Sequence, residues 1–494
     1  MPLTGFLPRP LRESAAFRTT FTSLEEKEYA WFIYGNLCFF MAMQMQFVLR
    51  AFLAFELTGK ASALGLVSVG AAVPMLVLAP LGGVIADRIN KRTLLIVTQT
   101  AAAAVSLVTS ILILTDLIAY WHLFALAFTA GSVFSLNMPA RQALVPLLVP
   151  QHKLMNAISL QMGGMNVTRI IAPAAAGLLI APVGVGWVYL FTFLLFCVAV
   201  ASEFRLPSHG LKTDVEPEGF VQELLGGFRY ISHTPVIAML LFSGLLLPFF
   251  AFPVQIMLPV FAADVFGHGD GTGLGLLMAA GGVGGLVGAA VTANLDQYQH
   301  KGRLMFFGAV LMGSFLVAFT STRLFPLALV FIAASNIGQM VFMSSNNTVV
   351  QAITPPEFRG RVMSVNLMSF GVMPLGVLPI TAAADEFGPA WAIGVSSAVL
   401  VILAITAFLT VPVFRRLRLE PLSGAELSPV QAATLVAEGK ISQQEADRLT
   451  GRLRSPLLAS GPAEDAGRAD APGELGDGSK GQRGSQPAGT IDPG

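Results

Sequence analysis

Two arginines lie inside long apolar runs of this sequence, where a charged side chain is costly if the run crosses a membrane. Arg169 lies near the middle of its run, and Asn166 precedes it by about one helical turn on a similar face. Arg50 lies in the last third of the first run. A charge at mid-membrane depth costs at least about 2.5–3.5 kcal/mol on insertion scales, which makes such residues functional candidates. We expect Arg169 and Asn166 to line a cavity, whereas Arg50 either lines it too or extends to the surface beside Glu56.

Uncharged polar residues inside other apolar runs are of the type that lines a transport cavity. They are Asn36, Gln44, Gln255, Asn336 and Gln339. A carboxylate in the middle of a run would be a candidate for proton binding, but the carboxylates near the runs fall towards their ends. These are Glu56, Asp116, Asp264, Asp385 and Glu386. The sequence therefore predicts a polar cavity and does not locate a proton-binding residue.

The other reactive residues argue against an enzyme. The 6 histidines are scattered through loops and termini, whereas a membrane enzyme needs His, Asp or Cys clustered at one depth. Cys38 and Cys197 each lie in an apolar run, which predicts buried small side chains. The net charge of +1 gives no reason to expect a nucleic acid partner. We therefore expect no catalytic residue, no metal and no cofactor.

The composition defines the elements that must position these residues. Hydrophobic residues make up 54% of the chain and charged residues 12%, about half the charge of a soluble domain. A bilayer core needs about 20 apolar residues per helix. Runs of that length lie near 30–55, 62–86, 93–115, 119–140, 156–181 and 184–203, and then near 236–262, 272–295, 304–321, 325–350, 362–385 and 389–412. The sequence predicts an all-α membrane protein with twelve transmembrane helices in two groups of six.

Basic residues concentrate in every second loop between these runs. The even-numbered loops contain Arg88, Lys91, Arg92, Lys153, Arg205, Lys212, Arg229, Lys301, Arg303, Arg359 and Arg361. The odd-numbered loops contain only Lys60 and Arg323. By the positive-inside rule, the first set of loops and both termini lie in the cytoplasm.

An internal repeat supports the two groups. Residues 150–159 align with residues 355–364 at an offset of 205, and both segments lie between the fourth and fifth runs of their group. A duplicated six-helix unit predicts two pseudo-symmetric bundles. The predicted organisation is a cytoplasmic N-terminal segment 1–28, a bundle 29–204, a cytoplasmic linker 205–234, a second bundle 235–414 and a cytoplasmic tail 415–494.

The predicted tail contains two kinds of sequence. Ser428-Pro429 has the pattern of a helix N-terminus, and Ser442 with Glu445 forms a capping box, so the first part predicts a small helical hairpin. Residues 455–494 are rich in Gly, Ser, Pro, Ala and Asp, a composition typical of disorder.

The loop between the second and third runs has a distinctive pattern. Residues 82–92 read Gly-Gly-Val-Ile-Ala-Asp-Arg-Ile-Asn-Lys-Arg, with an Asp-Arg pair, a glycine four residues before Asp87, and two basic residues after it. This resembles the G-x-x-x-D-R-x-x-[RK]-[RK] loop of the major facilitator superfamily. The resemblance implies a conformational switch. Its residues here are Gly83, Asp87, Arg88, Lys91 and Arg92, with Arg141 at the end of the fourth run as a second partner of Asp87.

Three further stretches resemble the branch of that superfamily that contains the enterobactin exporter and macrolide-efflux permeases. They are residues 139–146, residues 169–177 and residues 347–364. Ala172-Pro173-x-x-x-Gly177 is similar to the G-P-x-x-x-G motif of facilitator antiporters, with alanine in place of the first glycine. A proline and a small residue at this spacing predict a gating helix with a bend, although an ordinary kinked helix has the same pattern.

The resemblance implies a monomeric secondary active transporter in the plasma membrane. It exports small organic molecules, drug-like or siderophore-like, by alternating access, and proton coupling is implied by the family alone. The alternatives within the fold are a nutrient uptake permease and a lysolipid flippase. A membrane enzyme, and a sensor that uses the fold only to bind a ligand, are the alternatives from other classes.

Overall fold

The computed structural model describes residues 22–207, 229–269, 271–295, 298–355, 358, 362, 365 and 376–417. Within these ranges, the side chains of residues 76, 79–88, 247, 248, 413 and 416 lie outside the description. The chain divides into two units, Met1–Pro421 and Leu422–Gly494. The second unit, and with it the predicted helical hairpin and disordered end, lies outside the described residues, as does most of the predicted linker.

The described part of the first unit consists of long helices joined by short loops. In chain order the helices are α1 Lys27–Thr58, α2 Ala61–Arg88, α3 Lys91–Leu114, α4 Tyr120–Leu148, α5 Leu154–Val183, α6 Val185–Glu203, α7 Pro235–Val260, α8 Thr272–Asn294, α9 Lys301–Ser321, α10 Phe325–Ile353, α11 residues 376–387, and α12 Pro389–Thr410. Short helical turns occur at Thr22–Glu25, Gln151–Lys153, Phe261–Val265 and Pro412–Arg416.

Hydropathy explains why these segments are helical. Ten helices of the described part are long and apolar enough to cross a membrane. Only a helix or a closed barrel satisfies every backbone polar group in hydrocarbon, and no strand occurs in the residues that the structure describes. The chain is therefore an all-helical membrane protein. Several helices run a few residues beyond their apolar runs; α1, for example, begins at Lys27 and ends at Thr58.

Glycine and asparagine define several helix ends. Gly59 ends α1 with φ of 64°, a left-handed conformation that glycine adopts without steric cost. The loop between α2 and α3 consists of residues 89–90. The Asn90 side chain accepts hydrogen bonds from the backbone amides of Arg92 (3.0 Å) and Thr93 (3.4 Å), which caps α3. Tight caps of this kind join long antiparallel helices.

The helices pack in pairs that recur along the chain. In the first half α2 packs on α4, α3 on α6, and α1 on α6. In the second half α8 packs on α10, α9 on α12, and α7 on α12. Each pair in the second set is the first pair shifted by six helices.

The loops meet at two ends of the helix bundle. We call one end the basic end: it contains Lys91, Arg92, Lys153 and Arg205. There Lys153 forms ion pairs with Glu25 (3.0 Å) and Glu26 (2.8 Å). We call the other the opposite end, where α2, α4 and α8 begin and α5 and α11 end. Tyr120 Oη of α4 donates to the Ala63 carbonyl of α2 there (3.0 Å).

Among the described residues, a close contact between the backbones of helices from different halves joins α5 to α8 at the opposite end. A Cβ atom added at Gly177 would lie 2.4 Å from the Gly275 Cα, and one added at Gly275 would lie 2.5 Å from the Leu178 nitrogen. Nearer the basic end, a Cβ atom at Gly163 of α5 would meet no atom within 4 Å. The two backbones therefore touch near the opposite end, and the space beside Gly163 is free.

Gly177→Ala is expected to destabilise the protein by about 1–3 kcal/mol, because the added methyl group overpacks this backbone contact. Thermal unfolding of the purified protein in detergent measures the effect. Gly163→Ala makes the same substitution on the same helix where space is free, and should be close to neutral. Equal stability of the two variants would contradict the close approach of α5 and α8.

Candidate functional site

Two fully buried charges form an ion pair in the first half of the chain. Arg141 of α4 and Glu203, the last residue of α6, are separated by 3.1 Å, and both side chains are 0% exposed. Arg141 Nη1 donates to Asn36 Oδ1 of α1 (2.7 Å), and its Nε donates to Asn137 Oδ1. The Phe39 ring lies 4.3 Å from the guanidinium carbon, a distance at which a cation and an aromatic face attract.

Further hydrogen bonds extend this ion pair to α3. Gln99 Nε2 donates to Glu203 Oε1 beside Arg141. Asn137 Nδ2 donates to Thr98 Oγ1 (2.8 Å). Arg92 Nε, at the start of α3, donates to the Glu203 carbonyl (3.2 Å). The network therefore ties α1, α3, α4 and α6 together near the basic end.

The structure modifies two expectations at this network. Asn36, assigned to the cavity from sequence, is 0% exposed and accepts from Arg141, so it does not line an accessible cavity in this conformation. Arg141, expected beside Asp87, pairs with Glu203 among the described residues. The side chains of Gly83, Asp87 and Arg88 lie outside the description. Their proposed partnership with Arg141 therefore stays a prediction.

Glu203 is the functional candidate that sequence reasoning missed. It is the last residue of its apolar run, and a carboxylate at the end of a run is expected to reach water. The signal available in the sequence was a pair of opposite charges, Arg141 and Glu203, each at the same end of its helix. That pairing becomes evident only when α4 and α6 are known to pack beside α1.

The second polar feature is one side of α5. At 3.6 residues per turn, Arg169 and Asn166 lie opposite Val167, Ile171 and Leu178 on this helix. All five are exposed, so α5 has an apolar accessible side and a polar one. Protein atoms nevertheless surround Arg169 on most sides. Within the described residues, Arg169 has no hydrogen bond or ion pair.

Pro173 lies on the same polar side of α5. A proline has no backbone N–H, so the Arg169 carbonyl loses its partner four residues later in the helix. The helix continues through Pro173 to Val183 and contains Pro182 as well. A free carbonyl and a guanidinium thus lie at one level of α5, and Gly177 one turn beyond contacts α8.

The remaining sequence candidates lie on the helices around α5 and α8. Ile170 of α5 packs on Gly282 of α8. The neighbouring Gly281 faces the Asn336 side chain of α10, and a Cβ atom added at Gly281 would lie 3.2 Å from Asn336 Nδ2. Asn336 Nδ2 donates to the Ile332 carbonyl (2.8 Å). Gln44, Gln255 and Gln339 are half-buried, on α1, α7 and α10 respectively.

A carboxylate at the end of α11 joins this helix to the start of α2 at the opposite end. Asp385 Oδ1 accepts from the Ala61 amide (2.6 Å) and Asp385 Oδ2 from the Ser62 amide (3.1 Å). These are the first residues of α2, whose free amides and helix dipole favour a negative charge. One turn along, a Cβ atom at Gly65 would lie 2.3 Å from Thr381 Oγ1. The start of α2 and the end of α11 are therefore in direct contact.

Paired helix packing, one polar helix side and a buried ion pair are features of a membrane transporter, and solved structures agree on the fold. A bacterial homologue of the human lysosomal transporter Spinster, solved in an inward-facing and unoccupied conformation, matches with a TM-score of 0.62 at 14% identity. The match covers 83% of this chain and 100% of that one. This similarity establishes the fold of the major facilitator transporters.

A family model described as transmembrane secretion effector matches residues 18–442, and the chain belongs to that family of major facilitator transporters. Macrolide efflux protein A from Streptococcus pyogenes is 24% identical over 317 residues, which are 63% of this chain and 77% of that protein. Enterobactin exporter EntS from Citrobacter koseri is 28% identical over 314 residues, 63% of this chain and 70% of that protein.

Glu203→Leu is expected to destabilise the protein by about 3–5 kcal/mol, because it leaves Arg141 buried without its counter-charge. Combining it with Arg141→Met removes both charges and should recover most of the loss. Thermal unfolding of the two single variants and the double variant measures this coupling. If the double variant loses the sum of the two single effects, the ion pair does not hold these helices together.

Asp385→Ala is expected to separate α2 from α11 at the opposite end, because the first amides of α2 lose their acceptor. Spin labels at Lys60 and Phe387, both exposed at this end, report the separation by pulsed electron paramagnetic resonance. We expect longer distances in the variant. Glu386→Ala removes the adjacent exposed carboxylate and serves as the control. Identical distance distributions in both variants would rule out the contact as a closing element.

Proposed function

We propose that this protein exports small organic molecules, drug-like or siderophore-like, across the cell membrane by alternating access. The observation that carries the proposal is the accessible polar side of α5, which contains Arg169 and Asn166 beside the close contact between α5 and α8. The functions of the relatives, macrolide efflux and enterobactin export, support the direction of transport and the type of cargo.

The architecture we propose is twelve transmembrane helices in two pseudo-symmetric six-helix bundles, 29–204 and 235–414. The recurrence of the helix pairs after six helices supports this arrangement. The segments 1–28, 205–234 and 415–494 are proposed to lie in the cytoplasm, as is the basic end, because basic loops stay on the cytoplasmic side. The opposite end then faces outwards.

The proposed cavity lies between the two bundles and is open towards the cytoplasm. The contacts of α5 with α8 and of α2 with α11 would close it on the outer side. Arg169 and Asn166 line it from α5. Gln44, Gln255, Asn336 and Gln339 are proposed to add neutral polar groups from α1, α7 and α10. A mixed surface of this kind suits amphipathic molecules that need a few hydrogen bonds for orientation.

The conformational switch is proposed to lie at the basic end. Gly83, Asp87, Arg88, Lys91 and Arg92 form it by resemblance to the superfamily loop, and Pro173 with Gly177 make α5 the gating helix. Arg141 contributes by holding α1, α4 and α6 as one body that moves around this loop. Proton coupling remains part of the proposal on family grounds.

Transport in membrane vesicles tests the function. Everted vesicles from a host that lacks its own drug pumps should accumulate erythromycin or enterobactin when energised, and right-side-out vesicles should not. Vesicles without the protein provide the background. Accumulation in right-side-out vesicles would instead identify an uptake permease, and movement of a fluorescent lysolipid alone would identify a flippase.

Arg169→Ala is expected to abolish transport of the compound found in this way without loss of membrane insertion, whereas Arg169→Lys retains part of it. The reason is that the cavity loses its cationic group. The free-energy cost of placing this charge in the membrane is offset by contact with water or with the transported molecule. Val167→Ala changes an accessible residue on the apolar side of the same helix and is the control. Normal export by Arg169→Ala, with equal amounts of protein in the membrane, would refute the cavity role.

A further inference from the structure

A second arginine and a tyrosine have unpaired polar atoms in the outer half of the first bundle. Arg50 of α1 has a buried Nη1 atom with no hydrogen-bond partner in the described part of the chain. The Tyr189 hydroxyl of α6 is likewise buried and unpaired there, and this residue is 1% exposed. Arg50 lies eight residues before the end of α1, about 12 Å along the helix axis. It is therefore inside the apolar region.

Contacts one helical turn away place these two residues together. Gln46 Nε2 of α1 donates to Thr192 Oγ1 of α6 (3.4 Å). The two helices run antiparallel, so four residues onward on α1 and three residues backward on α6 bring Arg50 level with Tyr189. The two side chains lie within electrostatic range of each other.

The tyrosine is held in position by its surroundings. Its backbone carbonyl accepts from Ser106 Oγ of α3 (3.0 Å) and from Thr192 Oγ1 (2.8 Å). Its side chain belongs to the hydrophobic core, so the hydroxyl has little freedom to find another acceptor. A fixed donor beside a guanidinium is a preorganised site.

Arg50 lies beside the interface between the two halves of the chain. Phe47 of α1 contacts Phe252 of α7, with 5.8 Å between ring centroids. In a helical-wheel projection of α1, Arg50 lies between Gln46, which faces α6, and Phe47, which faces α7. Arg50 is itself half-buried, so part of its side chain reaches accessible space. A ligand between the halves can therefore approach it.

The guanidinium of Arg50 and the phenol of Tyr189 indicate which chemical group would bind to them. A guanidinium among apolar helices is costly unless an acceptor satisfies it, and no ion pair joins Arg50 to a described carboxylate. A carboxylate matches a guanidinium in charge and shape, and it accepts a further bond from a phenol. We propose that Arg50 and Tyr189 bind the carboxylate group of the transported molecule, which makes organic acids a substrate class. This rests on the proposed function.

Binding of a small probe tests the site without transport. We expect benzoate to raise the unfolding temperature of the lipid-depleted protein in maltoside detergent, and benzamide, its neutral counterpart, to have no effect. Arg50→Gln should weaken benzoate binding by about tenfold or more, and Tyr189→Phe by a smaller factor, since bonds to a charged group are the strong ones. Arg50→Lys should retain part of the affinity, and it covers the case in which Arg50→Gln does not fold.

The controls separate this site from others. Arg323→Gln removes an exposed arginine in the loop before α10 and should leave benzoate binding unchanged. Equal effects of benzoate and benzamide, or full benzoate binding by Tyr189→Phe and Arg50→Gln, would overturn the proposal. The proposal would also be overturned if Arg50 retained phosphatidylglycerol in preference to benzoate. If benzoate does not bind, the carboxylate site is refuted and the export proposal still stands. If benzoate binds but the vesicles show no transport, the export proposal is refuted and the site still stands.

Discussion

A charge enclosed by apolar helices must be neutralised by a neighbour, reach water or meet a ligand, and this constraint organises the protein. Three arginines within the described helices meet it in different ways. Arg141 is fully buried and is neutralised by Glu203, with amide oxygens satisfying the rest of its guanidinium. Arg169 is accessible on a polar helix side, and Arg50 has a buried nitrogen without a partner in the part of the chain that the structure describes. The paired arginine supports the fold, whereas the two that have no partner among the described residues are the ones we propose to take part in transport.

The opposite end of the molecule is held together by contacts of backbone groups. At the opposite end, glycines allow α5 and α8 to touch through their backbones, and Asp385 satisfies the first amides of α2. Contacts of this kind are either fully made or lost, because a backbone contact or a cap tolerates little displacement. We therefore propose that such an end opens as a unit. A transporter that alternates between two states needs closing contacts of this kind.

The sequence predicted the membrane class, the all-helical fold and the short loop between α2 and α3, since each depends on local composition. It also singled out Arg169 and Asn166 of α5, because mid-run charges are rare enough to stand out, and their role in a cavity stays a prediction. The Arg141–Glu203 pair was missed, and Asn36 was assigned to a cavity that it does not line here. Both depend on which faces of α1, α4 and α6 meet, and helix hydropathy carries little information about rotation when every side is apolar. The family relationship then supplied the link from fold to export.

The central claim is that the two ends open alternately around one cavity. Pulsed electron paramagnetic resonance on two label pairs tests it most directly: Lys60 with Phe387 at the opposite end, and His152 with Arg303 at the basic end. All four positions are exposed. On addition of a transported compound, we predict that the first distance lengthens in the same fraction of molecules in which the second shortens. Distances that change at one end only, or at both ends in the same direction, would contradict alternating access.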